Sequence, residues 1–187
     1  MDATCPWLTG QLLLALPGVG DPRFDRAVIA MVSHGPEGAM GVGIGQLLAG
    51  VTMAAVFDQL GMDGGAARDA AVLDGGPVER QRGFVLHSRD WGGEDAVDVA
   101  GVWMLSASHD VLRAIGEGRG PSRWQFILGY AGWDGGQLEG EFARHAWHAA
   151  PATETLMFDT PAEHRWSAAF ASVGVDARLL TGTGGTA

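Results

Sequence analysis

Apolar residues in this chain come in short runs cut by glycine, proline and charged turns, and their spacing changes along the chain. Residues 9–16, with Leu12, Leu13 and Leu14 in succession, read as a buried strand stopped by Pro17-Gly18. Residues 27–33 form a second strand, ending at His34-Gly35-Pro36, and residues 40–44 a third. Gly41, Gly43 and Gly45 alternate along that third strand. Glycines on one strand face admit a second backbone, and a phosphate cradle is the competing reading. Residues 52–60 switch to helical spacing. Met53, Val56, Phe57 and Leu60 share a face, Thr52 is the expected N-cap and Gly61 the stop. Residues 64–68 read as a Gly/Ala-rich loop.

Strands are expected at 71–73 and 82–87, around the turn Asp74-Gly75-Gly76-Pro77, and again at 97–99 and 102–105. Ser108 is the expected N-cap of a helix whose apolar face is Val111, Leu112 and Ile115. The chain is organised around residues 125–133, an apolar run into the Gly-bracketed aromatics Tyr130 and Trp133. This stretch predicts a central strand, a turn at Gly135-Gly136, and a helix start at Gln137. Strand alternation puts Leu128 and Tyr130 on one face. Tyr130 is expected to bury its ring with its hydroxyl bonded, and Trp133 to fill core space beside Gly132. A strand at Ala146-Trp147 is cut off by Pro151, and residues 161–173 predict a helix with Trp166, Ala169, Phe170 and Val173 on one face. Residues 1–180 read as one domain and residues 181–187 as a disordered tail. Many short strands and few helices, with no βαβ alternation, argue for an α+β fold.

Composition narrows the function. The chain has 187 residues, 47% hydrophobic and 18% charged, as in a globular protein with one sizeable core. No apolar run approaches the roughly 20 residues of a membrane span, and no basic flank marks a signal peptide, so a cytoplasmic setting without membrane contact is expected. The single cysteine, Cys5, excludes an intrachain disulfide and a Cys-rich zinc site; it reads as a small residue in a loose N-terminal segment, with a lone reactive thiol as the alternative. Lysine is absent, which removes Schiff-base chemistry and the P-loop lysine. The net charge of -10 opposes direct nucleic-acid binding.

No serine stands in a G-x-S-x-G elbow. His34, His87 and His109 lie beside turns or a cap, and the sequence pairs none of them with a nucleophile. Glu141, His145 and His148 would share a face on a continuous helix and could then hold a metal, but a helix end near Arg144 scatters them. Arg82 and Arg89 beside His87 could bind an anion or simply form a solvated charged turn.

Three blocks together resemble the YqgE/AlgH family of bacterial proteins. The first runs from Gly10-Gln11-Leu12-Leu13 through Asp21-Pro22-Arg23-Phe24 to Gly38-Ala39-Met40-Gly41. The second is Gly75-Gly76-Pro77-Val78 with Arg82-Gly83-Phe84-Val85-Leu86-His87. The third is Leu128-Gly129-Tyr130-Ala131-Gly132-Trp133 with Gln137-Leu138-Glu139, Glu141 and Ala146-Trp147. The resemblance implies a bifurcated, mainly antiparallel sheet curled into a pseudo-barrel and flanked by helices. It implies no cofactor and no established activity, only a transcriptional-regulator label that the charge argues against. The chain departs from the family pattern at Gly45-Gln46-Leu47, where Asn-Lys-Pro is usual, and at His145, where Asn is usual. His145 and His148 are therefore not a family metal motif.

These readings predict a non-enzymatic domain acting through contacts with an unidentified protein partner, with no catalytic, cofactor or metal residues. The alternative is a small-ligand binder or enzyme using a groove near Gly75, Gly76, Pro77, Arg82, His87, Tyr130, Trp133 and Gln137.

Overall fold

The computed structural model describes residues 7–180, so Cys5 and the tail at 181–187 lie outside the described residues. Nine strands form one sheet: β1 (Gln11–Ala15), β2 (Val28–Gly35), β3 (Gly38–Gly43), β4 (Val72–Asp74), β5 (Val78–His87), β6 (Val97–Val99), β7 (Trp103–Ser106), β8 (Trp124–Asp134) and β9 (Trp147–Pro151). The order is β6-β7-β5-β8-β3-β2-β1-β9, with β4 pairing parallel to β8 and every other pair antiparallel. Four helices flank it: α1 (Met53–Gln59), α2 (His109–Gly116), α3 (Gln137–Ala143) and α4 (Ala162–Ser172). This is the curled, bifurcated α+β pseudo-barrel that the resemblance implies.

The organising strand is β8, and the sheet splits on it. β5 runs along one of its edges, while the other edge is shared: β4 pairs with Phe126, Ile127 and Leu128, and β3 with residues 131–134. Glycines make the split possible. Gly43 donates its amide to Gly75 O and Gly75 donates to Leu128 O, both at 2.8 Å, so the Gly75 backbone is wedged between the diverging strands. A Cβ on Gly75 would collide with the Gly129 carbonyl, and one on Gly43 with the Asp74 carbonyl. The alternating glycines of β3 therefore admit a second backbone, and the middle amide of the phosphate-cradle reading, that of Gly43, is already bonded to Gly75 O.

At Gly129 the backbone takes φ +78, and β5 answers with four residues, 79–82, that have no partner in the β8 register. This bulge resets the side-chain alternation. Leu128 packs outward with Phe126, whereas Tyr130 packs inward with Ile127, so the two do not share a face as simple alternation predicts. Tyr130 is only half-buried, its ring edge-on to Phe84 at 6.1 Å, and its hydroxyl has no hydrogen bond among the described residues.

Both faces of the sheet are buried, giving three apolar clusters. Leu12 and Leu14 of β1 point into the barrel with Val42, Leu86, Ile127, Trp103 and the α4 residues Ala169 and Phe170. Leu13, Ile29, Met31, Trp133 and Trp147 face outward beneath Leu138 of α3. Val85, Phe126 and Val72 face outward on the other half, beneath Met53 and Phe57 of α1 and Val111, Leu112 and Ile115 of α2. Each fully buried side chain of this size contributes about 1.5–3 kcal/mol. Arg165 of α4 is buried at 4% exposure, its Nη1 donating to Ile44 O at 2.6 Å and to Gln125 Oε1 at 2.9 Å. Burial lowers its pKa to about 10, with the Glu163 charge opposing, so it stays a cation at neutral pH and ties α4 to the sheet.

Thr52 caps α1, accepting from the Ala55 amide at 3.2 Å. Ser108 precedes α2 as expected, but its hydroxyl donates to Asp95 at 2.8 Å and makes no cap bond. Residues 65–69 are a short 3-10 helix rather than a loop, and a π-helical turn at Thr155–Asp159 carries no sequence signal of its own. The chain ends α3 at Ala143, and His145 takes φ +57 before β9 begins. Glu141, His145 and His148 are scattered by that turn, as the helix end near Arg144 predicts.

Candidate functional site

The sequence-flagged residues fall into three places. Gly75 and Gly76 belong to the sheet split, where their backbones pack on Gly129 and Tyr130. Trp133 and Gln137 meet Glu141 on the outer face under α3. The indole N–H groups of Trp133 and Trp147 both donate to Glu141 Oε2, at 2.9 and 2.7 Å, and Gln137 Nε2 donates to Oε1 at 3.0 Å. The two indoles meet edge to face at 6.0 Å. A carboxylate holding three donors is a clamp rather than a free base. A hollow of about 420 Å³ lies beside it, with Pro77 on its rim.

Arg82 and His87 lie on β5. Arg82 pairs with Glu79 at 2.9 Å and stacks over Phe84, its side chain half in solvent. His87 is at the opposite end of the strand from Tyr130: β5 sets Val78 against Tyr130 and His87 against Trp124. The eight flagged residues therefore do not converge on one groove.

A larger cavity among the described residues lies elsewhere, at about 640 Å³, between α1 and α2 over β5 and β8. Its origin is local. The two helices have only 7 and 8 residues, and between them the Phe126 ring lies against Gly83, where an added Cβ would meet it at 2.9 Å. Val56, Leu60, Leu112, Phe126 and Leu128 make an apolar lining, and Arg80, Gln59, Gln81 and His109 a polar rim.

Ser106, the last residue of β7, forms part of the cleft wall and is hydrogen-bonded to His87. His87 Nδ1 lies 2.8 Å from the Ser88 carbonyl, which can only accept, so the proton sits on Nδ1. Nε2 is then the acceptor for the Ser106 hydroxyl at 3.0 Å. His87 is fully buried, with Trp91 edge-on at 5.5 Å. Burial pushes its pKa below the usual range, while the Ser88 carbonyl, Asp90 and Asp95 pull the other way. A neutral imidazole is thus aimed at a hydroxyl. Sequence reasoning flagged His87 but missed Ser106. The two meet diagonally across β5 and β7, where Val85 pairs with Ser106 and His87 with Met104. No motif spacing reports a strand register.

Comparison with known proteins places the chain among relatives. Residues 12–178 match the AlgH-like (DUF179) family model. A UPF0301 protein of Sphingopyxis alaskensis is 65% identical over 187 residues, covering 100% of both chains. One of Rhodospirillum rubrum is 43% identical over 182 residues, covering 97% of this chain and 95% of its own. The solution structure of the AlgH protein from Pseudomonas aeruginosa superposes with a TM-score of 0.80 at 38% identity, covering 100% of each chain. A crystal structure from Corynebacterium diphtheriae, at 22% identity and TM-score 0.68 over 90% of this chain and 87% of its own, shares the fold. The chain belongs to the AlgH-like family.

Proposed function

We propose that this AlgH-like protein is a small-ligand-binding domain whose site is the cleft between α1 and α2. One observation carries the reading: the cleft joins about 640 Å³ of space to an apolar lining and a polar rim. Pockets for small molecules have this size, and a mixed lining of apolar side chains and several polar groups suits an amphipathic ligand. Gln81 and His109 on the rim, with Arg80 paired to Asp74 at 3.6 Å, offer hydrogen bonds to a carboxylate or ester head, so the ligand is an amphipathic monocarboxylate or an ester or thioester of one. The test is a titration of isotope-labelled protein with octanoate. Resonances of Val85, Leu112 and Phe126 shift on binding, and Val56→Trp, which fills the cleft, removes the shifts. Shifts confined to the Glu141 hollow would overturn the assignment.

A second reading, regulation through protein contacts, is supported by the end of the sheet. Among the described residues β6 has no partner on its outer edge and exposes Val97, with Val102 beside it on the same hairpin. Capture of a partner that Val97→Lys abolishes, with the cleft unaffected, would favour it. Direct nucleic-acid contact is not part of either reading. Nine of the twelve arginines pair with carboxylates, Arg165 is buried, and Arg26 lies over Trp166. No helix among the described residues is long and apolar enough to cross a membrane, in keeping with the cytoplasmic setting included in this proposal.

A further inference from the structure

The geometry points to Ser106 and His87 as a nucleophile and general base at the wall of the cleft, acting on an acyl ester or thioester held there. This rests on the cleft being the ligand site, and it adds a reaction to that site. Three parts of a serine acyl-transfer centre are in place. The Ser106 hydroxyl donates to His87 Nε2 at 3.0 Å, which is the nucleophile–base bond. The Ser88 carbonyl accepts from Nδ1 at 2.8 Å, fixing the tautomer that leaves Nε2 free to take a proton. The third part is position: Ser106 lines the cleft, whereas His87 behind it has no exposure to solvent.

The remaining requirement is charge stabilisation. The amides of Ala107 and Ser108 both donate to Asp95 Oδ2, at 3.0 and 2.8 Å, and are not available. The first turn of α2 begins three residues after Ser106, and no side chain of Ser108 caps it. Asp95 caps that helix start and Asp110 sits in its first turn, so the oxyanion would be met by side-chain donors of the cleft lining, Gln81 and His109. Ser106 itself is only 1% exposed, so bulk water reaches it poorly and a substrate must fill the cleft to meet it.

The step balances with solvent water as the only co-reactant. Ser106 Oγ forms a bond to the carbonyl carbon as its proton passes to His87 Nε2. The tetrahedral oxyanion re-forms the carbonyl, the bond to the alkoxide or thiolate leaving group breaks, and that group takes the proton from His87. Water then attacks the acyl-serine, giving a proton to Nε2. The ester bond to Oγ breaks, a carboxylic acid leaves, and Ser106 recovers its proton.

The experiment treats the purified full-length chain with an alkyl fluorophosphonate, which phosphonylates activated serines, and maps the adduct by mass spectrometry. Octanoate titration runs in parallel. The expected result is one adduct on Ser106, slowed by excess octanoate, absent in Ser106→Ala and slowed about 100-fold in His87→Gln. Because the adduct is mapped on the unsubstituted protein, the outcome does not depend on either variant folding. Octanoate binding in the cleft without a Ser106 adduct overturns the dyad and leaves the binding site standing. Loss of both overturns both. An adduct on Ser106 that His87→Gln, folded, does not slow removes His87 from the role of base and overturns the pairing.

Discussion

The two outer faces of the sheet are each covered by short helices, but only one is closed with polar bonds. Under α3, Leu138 is buried against Trp133 and Trp147, and both indole N–H groups end on one Glu141 oxygen. Under α1 and α2 the same kind of apolar surface is left with about 640 Å³ of unfilled space. The α3 face has large aromatic residues whose polar atoms find one shared acceptor, so area and hydrogen bonding are satisfied together. The other face has two short helices set apart on either side, and at Gly83 its floor is covered by the Phe126 ring. Sequence motifs drew attention to the first face because aromatics and glycines are conspicuous there. The larger space is on the second, about 640 Å³ against about 420 Å³ beside Glu141.

The comparison can be broken most forcefully at Trp133. Replacing it with alanine removes a buried ring and one of the three donors to Glu141, so a loss of about 3–5 kcal/mol in chemical denaturation is expected. Unchanged stability would show that the α3 face is not held by its indoles. Glu141→Gln keeps the shape but turns an amide N–H toward a donor. A loss of about 1–3 kcal/mol is expected, with the cleft's octanoate binding intact.

On the open face the expected order reverses. Val56→Trp should change stability by less than about 1.5 kcal/mol, because half-buried Val56 borders existing space, and it should abolish octanoate binding. A large loss of stability there would mean the cleft is packed more tightly than its volume indicates.

The smallest effect sharpens the role of His87. Its folded pKa is depressed, chiefly by burial, so below the ordinary value of about 6.5 the unfolded chain binds a proton that the folded chain refuses. Its contribution is present in full above about pH 6.5 and is lost as pH falls from there through the folded value. Denaturation at pH 7.5 and 5.5 should show the native protein losing more stability than His87→Gln. Asp90 and Asp95, which face His87, have depressed values of their own and stay ionised across this window. Equal losses in the two proteins would show that His87 is not held neutral.

Local order in this chain is legible without coordinates. Gln11–Ala15 and Trp124–Asp134 are strands because apolar side chains crowd the stretches 9–16 and 125–133, Thr52 caps the helix it precedes, and the glycines of β3 mark a backbone approach. The family is legible too, since its blocks span the chain. These signals act between neighbours in sequence, through φ/ψ preference, periodicity and capping. What a side chain meets across space was decided only by the tertiary structure. The bulge at Gly129 turned Tyr130 to the opposite face from Leu128, and the split of the sheet on β8 separated Gly75 from His87. The register of β5 on β7 set Ser106 against an imidazole nineteen residues away. A strand's own sequence says which faces are apolar, but the partner's offset depends on turns, bulges and packing elsewhere. That offset is what brings a hydroxyl to a base.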